Sequence, residues 1–241
     1  MGGDMRRTLL LLLVPLFAAL AGCSTLPEIP YDRMTAGEIK SIGIVSPKFP
    51  NEASVILATS VGQSFGLVGA LVDAGLQEGR ESAFKKMVQA QNFAAQDVFM
   101  QRLSAALQEH GYTLSDVSAT RRQENFVDKY PAGSSDAYLD MVVVNYGYIA
   151  AGIGDSTPYR PMVSVKVRLV RATDSSVLMQ DTVLYNPYNV AGGAAKAVTI
   201  SPNPSYEFTT FDDLEEKPEM AVKGLEDAIH QSAAAVANLL R

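Results

Sequence analysis

The sequence predicts a mixed α/β fold, with α+β as the alternative. The expected sheet has about five strands, ends in an antiparallel hairpin and is packed by two main helices, with a Gly/Ala-rich helical insertion. Three observations carry this prediction: strict alternation over residues 163–171, a continuous apolar run over 136–149, and an amphipathic final helix. A chain of 241 residues that is 47% hydrophobic and 19% charged is long enough for one domain of ordinary size.

The first 22 residues are typical of a secretory signal peptide. Arg6 and Arg7 form a positive region, residues 9–20 are apolar, and small residues follow. The apolar run is too short for a durable transmembrane helix.

The stretch Leu20-Ala21-Gly22-Cys23 resembles a bacterial lipobox. The resemblance implies that the Cys23 thiol receives a diacylglyceryl group, that cleavage occurs before Cys23, and that fatty acids such as palmitate anchor the mature protein. The alternative is a plain signal peptide with an incidental cysteine, but Cys23 is the only cysteine in the chain. By the same resemblance, Ser24 favours the outer membrane of a Gram-negative cell, on its periplasmic face.

The mature chain divides into a lipidated tether over residues 23–38 and one periplasmic domain over 39–241, with an insertion at about 47–91. The tether contains two prolines and no periodic apolar face. With Cys23 acylated no thiol remains, so we expect neither disulfides nor thiol catalysis.

The first half of the domain begins with a strand over residues 39–46. Residues 92–110 predict a helix with Asn92 as its N-cap and Gly111 as its left-handed C-terminal residue. A short strand, YTLSDV, follows directly.

The second half begins with the central strand 136–149, in which Asp140 and Asn145 are the unusual polar positions. We interpret both as a strand end or a solvent-facing slot rather than a binding site. Residues 163–171 predict a half-exposed strand, and residues 177–185 return as its hairpin partner.

Residues 186–213 form a long irregular stretch that is either a mobile flap or a segment packed down by its aromatic side chains; we favour packing. The last helix is expected to begin near Pro218. Its predicted buried positions are Ala221, Leu225, Ile229, Ala233, Val236 and Leu240.

Residues 60–79 are rich in glycine and nearly uncharged. Small residues recur at every fourth position from Ser54 onward, which on a helix forms one stripe: Ala58, Gly62, Gly66, Ala70 and Ala74. A helix that packs within the domain or between subunits is favoured. Membrane insertion of residues 53–76 and a surface loop are the alternatives.

The residues do not predict an enzyme. The catalytic sequences G-x-S-x-G and H-E-x-x-H and the Walker motif are absent, and His110 and His230 lie near helices, where a structural role is favoured. We therefore expect no catalytic residues, no metal ligands and no cofactor. The net charge of −6 and the lack of a Lys/Arg stripe argue against nucleic acid as a partner.

The lipobox, the first strand IGIVS, the helix ending in HGYTL and the hairpin VSVKVRLVRATDSSVLMQDTVLY together resemble envelope lipoproteins with a domain like the TolB N-terminal domain. That group includes lipoproteins of curli secretion, Pel polysaccharide export and penicillin-binding-protein activation. The resemblance implies a non-enzymatic assembly or interaction component of an envelope export, secretion or cell-wall system. Its expected partners are the membrane, further copies of itself and an envelope protein of unknown identity. The alternative is a periplasmic ligand-binding module or an unrecognised hydrolase with a pocket formed by residues 186–213.

Overall fold

The computed structural model describes residues 27–57, 66–121, 125–150, 152, 157–187 and 197–241, with residues 66–76 described by their backbone. Within these residues the strands are β1 (Ser41–Val45), β2 (Ser54–Leu57), β3 (Thr113–Val117), β4 (Ala137–Ala150), β5 (Arg160–Arg171), β6 (Val177–Tyr185) and β7 (Val198–Ile200). The helices are α1 (Arg33–Ala36), α2 (Gly66–Ala90), α3 (Ala95–Glu109), α4 (Phe211–Glu216) and α5 (Pro218–Asn238).

The predicted mixed α/β fold is confirmed. The strands form one sheet in the order β3-β1-β4-β5-β6-β7, with β2 also paired to β4. The pairs β4–β5 and β5–β6 are antiparallel, whereas β1, β2 and β7 run parallel to their neighbours. The described residues contain seven strands rather than the predicted number of about five, because β2 and β7 are short and lie in segments without a clear sequence pattern.

Strand β4 is long enough to pair with two strands in tandem along one edge. Its first residues pair with β1, from Ala137 to Leu139, and its last four pair with β2. Gly147 makes the second pairing possible, because its φ is +154° and a Cβ built there would lie 1.8 Å from the Ser54 carbonyl oxygen. A glycine is therefore required where β2 approaches β4.

One face of the sheet is covered by helices. Strand β5 places Val163, Val165, Val167 and Leu169 in this core, as the alternation predicted. Helix α5 packs on β5 and β6 and contacts α3. All six positions predicted to be buried in the last helix have no exposed surface.

The opposite face is partly covered by the loop between β3 and β4. Val127 of this loop is buried and packs with Val45 and Tyr138, which lie on β1 and β4. The Tyr130 ring stacks on Tyr138 with centroids 5.5 Å apart. The loop thus builds a second, smaller apolar cluster, beside which the candidate site lies.

The helix predicted from Ser54 onward is wrong at its beginning. Residues 54–57 form β2, paired with β4, because backbone pairing with a distant strand decides their conformation rather than the spacing of small residues. A helix is present from Gly66, as the Gly/Ala-rich insertion predicted. Within the described part of the chain, no helix is both long and apolar enough to span a membrane.

The N-cap predicted for the helix over residues 92–110 is also wrong. Helix α3 begins at Ala95 after Ala94, which makes no side-chain capping bond. Asn92 instead has a φ of 51° and lies between α2 and α3, a conformation that asparagine tolerates better than most residues. Gly111 has the left-handed conformation that was predicted, with a φ of 88°.

Two segments expected to be irregular are packed against the domain. Ile29, within the expected tether, forms an antiparallel bridge with Gln180, and Ala36 is buried. In the second segment, Phe208 and Phe211 are buried, so its described part is packed by aromatic rings, as favoured above. Its residues 188–196 lie outside the described residues.

Candidate functional site

The residues of the predicted sites are only partly within the described chain. Cys23, Ala58 and Gly62 lie outside the described residues. The other three members of the small-residue stripe, Gly66, Ala70 and Ala74, lie in α2. Their role in helix packing or in an oligomer remains a prediction.

The most unusual polar group of the described chain is Asp140, in the middle of the sheet. Its side chain is completely buried, so the predicted solvent-facing slot is wrong. Asp140 Oδ1 accepts a hydrogen bond from Arg121 Nη1 at 2.5 Å. Asp140 Oδ2 accepts from the backbone N–H of Val127 at 2.8 Å and from the Tyr130 hydroxyl at 2.8 Å. Three donors therefore satisfy the carboxylate, as a buried charge requires.

Arg121 is the direct ion-pair partner of Asp140. Its Nε and Nη2 atoms donate to the Ser46 carbonyl oxygen at 3.1 and 2.7 Å, while Nη1 reaches Asp140. The Arg121 side chain is 10% exposed. The guanidinium therefore joins the residue after β1 to the fourth residue of β4.

A second guanidinium, that of Arg168, lies beside this pair. Arg168 Nη2 is 3.7 Å from Asp140 Oδ2 and donates to the Val127 carbonyl oxygen at 2.9 Å. Its Nε and Nη2 also donate to the Tyr130 hydroxyl oxygen at 3.0 and 2.6 Å. The guanidinium carbon lies 4.4 Å from the centre of the Phe126 ring, within the range of a cation–π contact. These contacts hold Arg168 in one position.

The Tyr130 hydroxyl connects the carboxylate to Arg168. Burial raises the pKa of Tyr130 well above its usual range, and the negative charge of Asp140 raises it further. The hydroxyl therefore stays protonated and acts as a donor to Asp140. Tyr130 in this state cannot serve as a general base.

A groove of about 630 Å³ opens beside the cluster on the sheet face opposite the helices. Arg168 and Lys166 of β5 line it, together with residues 125–130 of the loop, which include Asp128 and Lys129. Three cations and one carboxylate give the lining an excess of positive charge. Chemically, this arrangement suits the binding of an anion.

The other polar residues considered from the sequence lie elsewhere. His110 follows α3, and its Nε2 accepts from Arg241 Nε at 2.9 Å. His230 lies in α5, on the helical side of the sheet. Asn145 follows the bulge at Val144 and pairs with Ser164. None of the three lines the groove beside Asp140.

The sequence interpretation missed Arg121 and Tyr130 because both lie in a loop without periodicity. Arg168 falls on the polar face of the alternating strand predicted over residues 163–171, but that pattern gives no sign of a buried partner. The available signal was Asp140 itself, because a carboxylate in a run of apolar strand residues needs a cation or several donors.

The chain's own strand order defines it as a mixed α/β protein. No family model matches the sequence, and a search of curated proteins found no match.

Among solved structures, one similar chain is a DUF330 protein from Xanthomonas campestris, with 11% identity, 84% of this chain and 83% of that chain covered, and a TM-score of 0.42. A PelC dodecamer from Paraburkholderia phytofirmans has 11% identity, coverages of 90% and 92%, and a TM-score of 0.32. The lipoprotein GNA1162 from Neisseria meningitidis has 17% identity, coverages of 60% and 81%, and a TM-score of 0.28. With TM-scores this low, the fold class rests on the elements and strand order of this chain.

Proposed function

We propose that this protein is an outer-membrane lipoprotein whose periplasmic domain acts as a non-enzymatic interaction component of an envelope export, secretion or cell-wall system. The observation that carries the proposal is the N-terminal sequence: a positive region, an apolar run and LAGC, ending at the only cysteine of the chain. Two or more acyl chains on one residue give stable anchoring, whereas a single chain binds only marginally.

The docking of the N-terminal segment supports a domain held close to the membrane. The Pro27 carbonyl oxygen accepts a hydrogen bond from Gln180 Nε2 at 2.9 Å, and the backbone of Ile29 pairs with Gln180. Pro27 lies four positions after Cys23, and a chain of that length extends at most about 14 Å. An anchor at Cys23 would therefore keep Gln180 of β6 near the lipid surface.

The chemistry of the buried cluster favours a structural and binding role over catalysis. The Asp140 carboxylate accepts from three donors and is completely buried. The raised pKa of Tyr130 keeps its hydroxyl protonated. These groups hold the β3–β4 loop on the sheet and present cations to the groove, which is the chemistry of recognition.

The anchor is tested by Cys23→Ala in cells fed labelled palmitate, with Thr25→Ala as the matched control. We expect the label to enter the parent and the control but not Cys23→Ala, which stays unprocessed or leaves the membrane fraction. Ser24→Asp should move the protein from the outer to the inner membrane. Label that persists in Cys23→Ala contradicts the lipid anchor.

The interaction role needs a separate measurement. Mature protein is crosslinked in cells, extracted in detergent and analysed by mass spectrometry, with Cys23→Ala as the control for complexes formed only at the membrane. We expect specific complexes with an envelope protein or with further copies of the chain, and their loss in the control. Protein that remains uncomplexed, together with hydrolysis by the purified protein, favours the alternative of an unrecognised hydrolase.

A further inference from the structure

The groove beside the Asp140 cluster is lined by more cationic than anionic side chains. Arg168, Lys166 and Lys129 line it against the single carboxylate of Asp128, in a chain whose net charge is −6. A local excess of cations on an acidic protein attracts anions to that place.

The buried carboxylate does not cancel this excess. Arg121 is hydrogen-bonded to Asp140 at 2.5 Å and neutralises it, with two further donors completing the carboxylate. Arg168 Nη2 lies 3.7 Å from Asp140 Oδ2, and the Arg168 guanidinium donates hydrogen bonds to Tyr130 and Val127 instead. Asp140, Arg121 and Arg168 together therefore carry one net positive charge. Of these three residues, Arg168 lines the groove, and its side chain is 20% exposed.

The cations of the groove are placed for a phosphate group. Arg168 is held by Tyr130, Val127 and Phe126, so little side-chain entropy is lost when it binds. Lys166 lies two residues away on the same face of β5, which separates their Cα atoms by about 7 Å. A guanidinium and an ammonium at this spacing can bind one phosphate together.

The groove also lies on the side of the domain where the chain continues to the lipid anchor. Gln180 is the cross-strand partner of Arg168, so the two side chains lie on the same face of the sheet. Gln180 Nε2 in turn donates to the carbonyl oxygen of Pro27. Pro27 is four residues from Cys23, at most about 14 Å of extended chain.

We propose that this groove binds the phosphate of an anionic phospholipid headgroup in the leaflet that holds the acyl anchor. The inference rests on the proposed lipid anchor, because the anchor brings the groove to the membrane surface. Binding there orients the domain, with the sheet face that bears Lys166 and Arg168 toward the lipid and the helical face toward the periplasm.

The proposal is tested with the mature acylated protein in nanodiscs of phosphatidylcholine, with or without phosphatidylglycerol. A benzoylphenylalanine residue replaces Asn125, an exposed residue of the groove lining, and lipid adducts are measured by mass spectrometry after illumination. We expect phosphatidylglycerol adducts in the parent and about fivefold fewer in Lys166→Gln, since one basic residue near an anionic surface contributes about that factor.

Lys86→Gln is the matched control, because Lys86 is exposed on α2, and α2 packs on the helical side of the sheet through Phe84 and Tyr148. Its adduct yield should equal that of the parent.

Equal yields in Lys166→Gln and Lys86→Gln, or adducts that form equally without phosphatidylglycerol, overturn the proposal. If calorimetry shows that the groove binds inorganic phosphate but no lipid adducts form, the proposal that its ligand is a lipid headgroup is also overturned. Lys129→Gln, in the exposed loop, serves as a second variant if Lys166→Gln does not fold.

Failure of the anchor and failure of the groove are distinguishable. The intact mass of the mature protein shows whether it carries acyl chains. If it carries none, the proposed anchor is wrong, and flotation of the same protein with phosphatidylglycerol vesicles still tests the groove: loss of flotation in Lys166→Gln but not in Lys86→Gln supports headgroup binding. Flotation that is equal in the two variants contradicts it.

Discussion

Arg121 Nη1 lies 2.5 Å from Asp140 Oδ1, and this ion pair joins a loop residue to the completely buried middle of the sheet. Asp140→Ala leaves Arg121 and Arg168 close together without their carboxylate. Removing one partner of a buried ion pair costs about 3–5 kcal/mol. We expect a loss of that size in the free energy of unfolding, measured by urea denaturation. Asp116→Asn, at an exposed position of β3, should change it by less than about 0.5 kcal/mol. Similar losses in the two variants contradict the assignment of the buried pair.

Gly147 permits the pairing of β2 with β4, and its replacement tests that pairing. A Cβ in Gly147→Ala would lie 1.8 Å from the Ser54 carbonyl oxygen, and the φ of +154° is unfavourable for alanine. We expect the free energy of unfolding to fall by more than about 1 kcal/mol. The control is Gly79→Ala in α2, where a Cβ meets nothing within 4 Å. This control should raise stability by about 0.4–1 kcal/mol. An unchanged stability of Gly147→Ala is incompatible with the observed register.

Asp136 predicts a pH dependence of stability. The backbone N–H groups of Lys40 and Ser41, followed by the Ser41 hydroxyl, donate to its carboxylate and hold its pKa below the usual range. A pKa that is lower in the folded state contributes stability above the unfolded value of about 3.9, and this contribution is lost as the pH falls through the folded pKa. The stability of Asp136→Asn should therefore fall less steeply than that of the parent below about pH 4.

The measurement is the free energy of unfolding from pH 6 to pH 2 for the parent, Asp136→Asn and Ser41→Ala. Ser41→Ala should have an intermediate pH dependence, because it keeps the carboxylate and both backbone donors. If the parent and Asp136→Asn have parallel curves, the hydrogen bonds to Asp136 do not shift its titration on folding.

The sequence predicted those elements whose pattern is local. The alternation of β5 and the buried stripe of α5 both follow from the period of one element, and both are confirmed. The predicted helix is wrong at residues 54–57, because they pair with β4, where Ser54 lies opposite Gly147, about ninety positions away in the sequence. The Asp140 cluster was missed for the same reason, since its partner Arg121 comes from an irregular loop. Contacts between distant segments, not local propensity, decide both cases.

The final prediction concerns the docked N-terminal segment, on which the orientation of the domain at the membrane depends. Gln180→Leu removes the hydrogen bond to the Pro27 carbonyl oxygen but retains the backbone bridge to Ile29. One such hydrogen bond contributes about 1 kcal/mol, so the segment should open about fivefold more often.

Native-state proteolysis measures this opening, because cleavage follows the population of the open form when opening is fast. Arg33, exposed in α1, is the trypsin site that follows the docked segment. We expect cleavage after Arg33 to be about fivefold faster in Gln180→Leu than in the parent. The control Thr182→Val changes a partly buried residue two positions along β6, on the same face of the strand, and should leave the cleavage rate unchanged. A rate that is the same in all three proteins means that the Gln180 side chain does not hold the N-terminal segment on the sheet, and that the backbone bridge between Ile29 and Gln180 is sufficient to dock it.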